Sequence, residues 1–436
     1  MNSPSESNPA KTNAALMARR TAALPRGVGQ AHALFAQRAE NAEIWDVEGR
    51  RWIDFCAGIA VVNTGHSHPR VVAAARAQLE NFSHTCFQVM AYESYVSLCE
   101  RLNASAPGDF AKKSFLVNSG AEAVENAIKV ARAATGRSGI IAFGGGFHGR
   151  TMMGMALTGK VAPYKIKFGP FPGEIFHVPF PHALHGVSED DSIEAIERIF
   201  KYSIEACRVA AIIIEPVLGE GGYVPAPLTF LSRLRTLCDA HGIVLIADEV
   251  QTGIARCGKL YASEHFGVEP DIITLAKGLG GGLTVSAVVG RAELMDAAEP
   301  GGLGSTYAGN PIAVAGALTV LDVVEQEGLC ERSMRLGEHM RERFRAMQAR
   351  FDTIAEVRGL GAMTAIELCH GGDPSKPAAD LATALKDEAA RRGLLLLTCG
   401  TYGNVMRIMI PLTIPDEILT EGLTIIEASL DAISGN

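Results

Sequence analysis

Several features that would assign this chain to a particular class of protein are missing or scarce. No run of about 18 apolar residues occurs, so no membrane-spanning helix is expected. The 40 Lys and Arg residues are outnumbered by 48 Asp and Glu, and the net charge of −8 argues against a general nucleic-acid binder. The nine cysteines form no C-x-x-C pair and have no regular spacing. This pattern suits a reducing compartment better than a disulfide framework, so we expect a cytoplasmic protein.

Signatures of nucleotide and metal binding are also missing. The P-loop pattern G-x-x-x-x-G-K-[ST] is absent, and neither Gly144–Gly146 nor Gly278–Gly282 reads as a dinucleotide-binding fingerprint. No metal-ligand spacing is evident, and His66 and His68 lie in a loop that we interpret as structural. The sequence therefore predicts no metal site.

The chain is nevertheless long enough to bury a large core. Its 436 residues, 47% of them hydrophobic, predict two or three domains. The N-terminal MNSPSESNPAKTN lacks the apolar segment of a signal peptide. We interpret it as a polar tail that leads into a short helix.

The order of apolar segments predicts an α/β fold. Strand candidates separated by helical patterns occur at 115–118, 139–143, 211–215, 243–248, 272–276 and 285–289. Strands that alternate with helices pair in parallel, so we predict a large, doubly wound, mainly parallel sheet.

A smaller α+β unit is predicted after that sheet. Its candidate elements are helices near 328–350 and 378–392 and strands near 362–367 and 405–409. Short strands within 44–62, joined by a turn at Glu48 and Gly49, have no obvious place in the large sheet. We expect them to join the C-terminal unit in a discontinuous small domain. The predicted segments are 1–68 and 326–436 for the small domain and 69–325 for the large, ligand-binding domain.

An acid and a lysine stand at the ends of two predicted strands. Asp248 follows the apolar run Ile243–Ala247, and Lys277 follows the run Ile272–Ala276. In an α/β sheet both side chains would reach the crevice at the carboxyl ends of the strands, where ligands bind. A lysine there can form a Schiff base and a carboxylate can hold a protonated ring nitrogen, as pyridoxal phosphate requires. A solvated loop lysine beside a salt-bridged acid is the simpler alternative.

Three further positions are compatible with a phosphorylated ring. Ser119 and Glu122 form a capping-box pattern at the start of a predicted helix, which would expose the N–H groups of Gly120 and Ala121 to a phosphate. Thr306 offers a hydroxyl in a glycine-rich loop. Phe147 follows a strand and could stack on a flat ring, although each feature alone is common in ordinary turns and cores.

Motifs across nearly the whole chain, in the family's order, then point to a family. They include SGAEAVENAIKVARAATGR at 119–137, FHGRT at 147–151, IIEPVLGEGG at 213–222, IADEVQTG at 246–253, AKGLGGG at 276–282, GGLGSTYAGNP at 301–311 and RIMIPLTI at 407–414. The chain resembles the class III (ornithine-type) aminotransferases, which are pyridoxal phosphate enzymes of fold type I.

The resemblance implies how the cofactor is bound. Lys277 would hold it as a Schiff base, and Asp248 would keep the ring nitrogen protonated. Val250 and Phe147 would pack on the two ring faces, and Gln251 would reach the ring hydroxyl.

The resemblance also implies that two subunits share each site. Gly120 and Ala121 would bind the phosphate, although Ala121 replaces a serine that is frequent in the family. Thr306 would complete the phosphate site from the neighbouring subunit of a homodimer, with a tetramer left open. The loop after Lys277 also departs from the family's common S-I-A-G-G-F-P.

Four residues imply the substrates. Arg150 and Arg407 match the family's two carboxylate-binding arginines, and Glu220 matches a carboxylate that pairs with Arg407 when a substrate has one carboxylate. Ile59 stands where the ornithine enzymes have a tyrosine, which suits a substrate without an α-amino group. We therefore expect transfer of the amino group of 4-aminobutyrate to 2-oxoglutarate.

Other reactions stay open. The amino donor could instead be 5-aminovalerate, β-alanine, acetylornithine or a diamine. An aminomutase or decarboxylase on the same fold is a further alternative. The paired Arg150 and Arg407 with Glu220 count against an aminomutase, because it needs no second amine acceptor. A binding protein without catalysis is disfavoured because Lys277, Asp248 and both arginines are all present.

Overall fold

The computed structural model describes residues 11–434. Most of the expected polar tail, residues 1–10, lies outside the described residues. The short helix expected after it is α1 (Asn13–Ala23), and the Thr12 hydroxyl caps it by accepting a hydrogen bond from the Ala15 N–H at 3.1 Å.

The strands and helices alternate along the middle of the chain. In chain order the strands are β1 (Ala36–Glu40), β2 (Glu43–Asp46), β3 (Arg51–Asp54), β4 (Lys112–Val117), β5 (Gly139–Phe143), β6 (Ile175–Val178), β7 (Val209–Ile214), β8 (Val217–Leu218), β9 (Val224–Pro225), β10 (Val244–Asp248), β11 (Ile272–Leu275), β12 (Ser286–Arg291), β13 (Ile354–Leu360), β14 (Met363–Leu368), β15 (Leu394–Leu395), β16 (Leu397–Cys399) and β17 (Val405–Ile408). The helices that follow α1 are α2 (Ala57–Ala60), α3 (Pro69–Asn81), α4 (Glu93–Ser105), α5 (Gly120–Thr135), α6 (Met152–Leu157), α7 (Glu189–Tyr202), α8 (Leu228–His241), α9 (Ala292–Met295), α10 (Pro311–Gln326), α11 (Leu329–Gln348), α12 (Ala379–Arg391) and α13 (Asp416–Ser434).

The large sheet has seven strands in the order β4-β12-β11-β10-β7-β5-β6. It is mainly parallel, as the sequence predicts, but β12 runs antiparallel to both β11 and β4. The reason lies in the connection between β11 and β12. It is a glycine-rich loop with only a short 3-10 turn at Lys277–Gly280, and a parallel return needs a longer crossover.

Both faces of this sheet are covered by helices. Along β7, Ile213 packs in the cluster that contains α5, whereas Ile212 and Ile214 pack in the cluster that contains α8. This alternation follows from the two-residue period of a strand, and it explains why the central strands are apolar throughout. Burial of both faces leaves the strand ends as the place for polar groups.

Two smaller sheets involve the chain termini. One has the order β1-β2-β3-β15, in which β3 pairs in parallel with β15 through Ile53 and Leu394. The other has the order β13-β14-β17-β16. The pairing of β3 with β15 supports a discontinuous small domain, while the boundaries at 68 and 325 stay a prediction. The early strands stop at Asp54, because the chain then turns into the irregular helix α2.

No helix within residues 11–434 combines the length and apolar character needed to cross a bilayer.

Candidate active site

A cavity of about 430 Å³ opens where the parallel strands of the large sheet end. β7, β10 and β11 are neighbours in the sheet, so their carboxyl ends meet at one edge. Glu215 follows β7, Asp248 ends β10 and Lys277 follows β11 after one residue. All three line the cavity, which confirms that the predicted acid and lysine lie together.

The cavity collects most of the residues singled out in the sequence. Those that line it are Gly120, Ala121, Phe147, Arg150, Glu220, Asp248, Val250, Gln251 and Lys277. Arg407 lies behind Glu220, whereas Ile59 and Thr306 are not among the lining residues.

Asp248 is buried, and each of its two carboxylate oxygens has a hydrogen-bond partner. Oδ1 accepts hydrogen bonds from the Thr274 hydroxyl at 3.0 Å and the Val250 N–H at 3.1 Å, and Oδ2 lies 2.7 Å from His148 Nδ1. Burial lowers the pKa of His148, but the hydrogen bond and charge of Asp248 outweigh it and leave that pKa raised. The imidazole therefore fixes the position of the carboxylate that faces the cavity.

Lys277 is the cavity's only lysine among the described residues. Burial lowers its pKa, and the carboxylates of Glu220, Glu215 and Asp248 only partly oppose that shift. A lowered pKa increases the fraction of free amine, which is the form that attacks a carbonyl carbon. The site thus supplies what Schiff-base chemistry needs from a lysine.

Glu215 is a site residue that the sequence reasoning did not single out. Its carboxylate accepts the Phe147 N–H at 2.7 Å and the Gly219 N–H at 2.8 Å, and so joins two cavity-lining loops. Burial raises its pKa to about 7, although His148 works in the opposite direction. Like Asp248, Glu215 ends an apolar strand candidate, and this position is the signal that could have predicted it. His148, which adjoins Phe147, gave no such signal.

The N-terminus of α5 opens onto the same cavity. The Ser119 hydroxyl accepts the Glu122 N–H at 3.2 Å, as the capping pattern predicts. The reciprocal bond differs, since Glu122 accepts from the N–H of Asn118 rather than that of Ser119. A Cβ on Gly120 would lie 2.8 Å from Val250 Cγ1, so this position has room only for glycine. The free N–H groups and the helix dipole make the terminus suitable for a phosphate.

Two arginines lie at or next to the cavity, Arg150 in its lining and Arg407 in contact with the lining residue Glu220. Arg407 is buried and its Nη1 donates to Glu220 Oε1 at 2.5 Å. Burial raises the pKa of Glu220, but Arg407 outweighs this and leaves the pKa lowered, so both groups stay charged. The Arg150 guanidinium carbon lies 5.5 Å from the Phe147 ring centroid and 5.4 Å from that of Tyr164. One arginine is thus neutralised, and the other faces aromatic rings.

Two predicted residues lie elsewhere in the single chain. Ile59 is 42% exposed and adopts a φ of +65° in α2, while the nearby Val61 lines the cavity. Thr306 is exposed in the loop before α10. The predicted contacts of Ile59 with substrate and of Thr306 with a neighbouring subunit's cofactor stay predictions.

A separate cluster was missed in the sequence. One ligand atom each of His182, His185 and Glu367 lies within 4.8 Å of the others, which is close enough to attract a metal ion. However, Glu367 Oε2 accepts from Arg358 Nη1 at 2.6 Å, and Glu367 Oε1 lies 2.8 Å from His185 Nε2. A metal ion would have to compete with that guanidinium, so we describe the cluster as an ion-pair network.

Comparison with known proteins identifies the family. The profile of the aminotransferase class-III family matches residues 23–430. The chain is 57% identical to the 5-aminovalerate aminotransferase DavT of Pseudomonas aeruginosa, over 97% of this chain and 100% of that protein. It is 56% identical to the 4-aminobutyrate aminotransferase GabT of Escherichia coli, over 96% and 99%.

A solved structure gives the same fold. An amine transaminase from an uncultivated Pseudomonas species, in its pyridoxal-phosphate-bound form, matches with a TM-score of 0.86 at 30% identity, over 94% of this chain and 98% of that one. The chain belongs to the class-III aminotransferases. It is therefore a pyridoxal phosphate-dependent enzyme of fold type I.

The cavity fits this cofactor on three observations. A partly buried lysine, a buried carboxylate and a helix N-terminus surround one space, in the combination that an aldehyde, a ring nitrogen and a phosphate require. Gln251 Oε1 and His148 Nε2 are buried without a hydrogen-bond partner within residues 11–434. The close contact of Gly120 with Val250 also keeps the phosphate end free of side chains.

Proposed function

We propose that the enzyme transfers the amino group of 4-aminobutyrate to 2-oxoglutarate, giving succinic semialdehyde and glutamate in two half-reactions. The observation that carries this proposal is the buried Glu220–Arg407 pair beside the separate Arg150. The similarity to a 4-aminobutyrate aminotransferase at 56% identity supports it.

The charges explain how one site would accept both substrates. 4-Aminobutyrate has one carboxylate, which Arg150 binds, while Glu220 keeps the buried Arg407 neutralised. An unpaired buried cation would be costly, so this pairing favours a donor with a single carboxylate. 2-Oxoglutarate has two carboxylates; its second one replaces Glu220 on Arg407, and guanidinium groups bind carboxylates bidentately.

The residues at the strand ends carry out the chemistry. When bound, pyridoxal phosphate supplies an electrophilic carbon and a ring that withdraws electrons. Asp248, positioned by His148, keeps a proton on the ring nitrogen. Lys277 would hold the cofactor through its amine, and the same amine would act as the general base that takes up and redelivers the proton of the substrate's amine-bearing carbon.

5-Aminovalerate is a second candidate donor. Relatives named 5-aminovalerate aminotransferase DavT are 57% and 56% identical to this chain. That donor also has one carboxylate and lacks an α-amino group, so the charge argument applies to it equally. It is longer by one methylene, and such a difference changes selectivity by only about 10- to 200-fold.

The absorbance spectrum of the cofactor-loaded enzyme tests the proposal. Titration with 4-aminobutyrate should bleach the yellow band, and 2-oxoglutarate should restore it. Parallel titrations with 5-aminovalerate, acetylornithine and ornithine rank the donors. If only acetylornithine or ornithine bleaches the band, the proposed substrate is wrong although the enzyme class stands.

We further propose a homodimer in the cytoplasm. The exposure of Thr306 in the single chain supports a contact with a neighbouring subunit. All nine cysteines are free, which supports a reducing compartment.

A further inference from the structure

Tyr164 contacts three residues of the cavity without lining it. It lies between α6 and β6, in an irregular segment that the sequence reasoning did not connect with the site. Its hydroxyl donates to Glu220 Oε2 at 3.3 Å. Its ring centroid lies 4.9 Å from that of Phe147 and 5.4 Å from the Arg150 guanidinium carbon.

The two oxygens of Glu220 are therefore held from two sides. Oε1 accepts from Arg407 Nη1, and Oε2 accepts from the Tyr164 hydroxyl. Burial and the charge of Glu220 raise the pKa of Tyr164 to about 12, so the phenol keeps its proton near neutral pH. A carboxylate with both oxygens bound resists rotation away from Arg407.

We propose that Tyr164 is a specificity-determining positioning residue, whose hydroxyl holds Glu220 on Arg407 and so favours amino donors with a single carboxylate. The inference rests on the proposed function. A dicarboxylate must displace Glu220 from Arg407, and the Tyr164 hydrogen bond opposes that displacement. A monocarboxylate donor needs Glu220 to stay, and the same bond supports its binding.

The phenol also contacts Arg150 directly and Arg407 through its partner Glu220. Its ring lies against the Arg150 guanidinium while its hydroxyl faces the carboxylate that neutralises Arg407. Removing only the oxygen should leave the ring contacts with Phe147 and Arg150 in place. The conservative variant Tyr164→Phe therefore isolates the effect on Glu220.

The test measures the two half-reactions separately on the cofactor-loaded enzyme, by the change in cofactor absorbance. In Tyr164→Phe, the ratio of kcat/KM for 4-aminobutyrate to kcat/KM for 2-oxoglutarate should fall about 3- to 10-fold, as expected for one lost hydrogen bond. A smaller change, a rise, or an equal loss in both half-reactions would overturn the inference. Tyr202→Phe, which alters an 80% exposed tyrosine, is the matched control.

A double-mutant cycle shows whether the effect passes through Glu220. In a Glu220→Ala background, Tyr164→Phe should leave the ratio unchanged, because the carboxylate that it positions is gone. A ratio that still falls there would overturn the inference.

Reaction of the wild-type enzyme with the two donors distinguishes failure of the inference from failure of the proposed function. If neither 4-aminobutyrate nor 5-aminovalerate reacts with it, the proposed function is wrong and the inference falls with it. If they react and Tyr164→Phe leaves the ratio unchanged, the inference alone is wrong.

Discussion

At the scale of single residues, the site depends on charged groups whose burial costs desolvation free energy. Lys277 stands in a cavity with the carboxylates of Glu215, Glu220 and Asp248, yet its pKa is lowered because burial is the largest influence. Low dielectric surroundings strengthen every interaction among these groups. Small changes at one of them should therefore have large effects on activity.

Lys277→Ala should abolish multiple turnover. The amine is proposed to bind the cofactor and to move the proton, so we expect a loss of at least about 100-fold in glutamate formation. Steady-state assays with 4-aminobutyrate and 2-oxoglutarate measure it, with Lys201→Ala on the exposed side of α7 as the control. Appreciable multiple turnover in Lys277→Ala would refute its catalytic function.

Glu215→Gln should change how stability depends on pH. The carboxyl pKa is about 7 in the folded enzyme against an ordinary 4.5, so the folded state keeps a proton that the unfolded chain releases. Stability must then fall as pH rises through that window, by roughly 1 to 3 kcal/mol. Glutamine cannot ionise, so the melting temperature of the variant, measured relative to that of the wild type, should rise between pH 5 and pH 7. A difference independent of pH would contradict the raised pKa.

At the scale of elements, the two ends of α5 have different surroundings. Gly120 begins the helix at the cavity, in contact with Val250, while Gly136 ends it with a φ of +66° in open space. Its apolar stripe, including Val124 and Ile128, packs on the sheet as the sequence predicts. We therefore expect the N-terminus to bind the phosphate and the C-terminus to contribute to stability alone.

Substitutions at these two glycines should separate binding from stability. Gly120→Ala forces a Cβ against Val250, so it should speed cofactor dissociation, measured by loss of absorbance during dilution. Gly136→Ala should instead cost about 1 to 2 kcal/mol of stability, because the left-handed conformation strains any residue with a Cβ. Its cofactor dissociation should equal that of the wild type. Equal cofactor retention in Gly120→Ala would rule out the proposed phosphate site.

At the scale of the whole molecule, Thr306 is exposed and does not line the cavity of its own chain, so its predicted contact with the phosphate would come from a second chain. Thr306→Ala should speed cofactor dissociation about 2- to 10-fold, as expected for one lost hydrogen bond. A mixed dimer, with Thr306→Ala in one subunit and Lys277→Ala in the other, shows which chain supplies the hydroxyl. Its one site with Lys277 would receive an intact Thr306 from the other subunit and should release the cofactor at the wild-type rate. Release at the variant's rate would show that Thr306 serves its own chain.

The sequence alone predicted that Asp248 and Lys277 line one cavity, and it predicted most of the elements that hold them. Strand candidates such as 139–143 and 272–276 coincide with β5 and β11 within one residue, because two-sided burial leaves a continuous apolar run. Asp248 and Lys277 could be placed together because each directly follows such a run. The reversed direction of β12 could not be predicted from the sequence, since the apolar pattern of a buried strand is the same in both directions.

Only the tertiary structure decided the pairings between distant residues. His148 and Asp248 are 100 positions apart, Tyr164 and Glu220 are 56 apart, and Glu220 and Arg407 are 187 apart. Periodicity reports the face of an element on which a side chain lies, but not which side chain of another element it meets. Hydrogen bonds and ion pairs depend on distances of a few ångströms, which only the packing of complete elements determines.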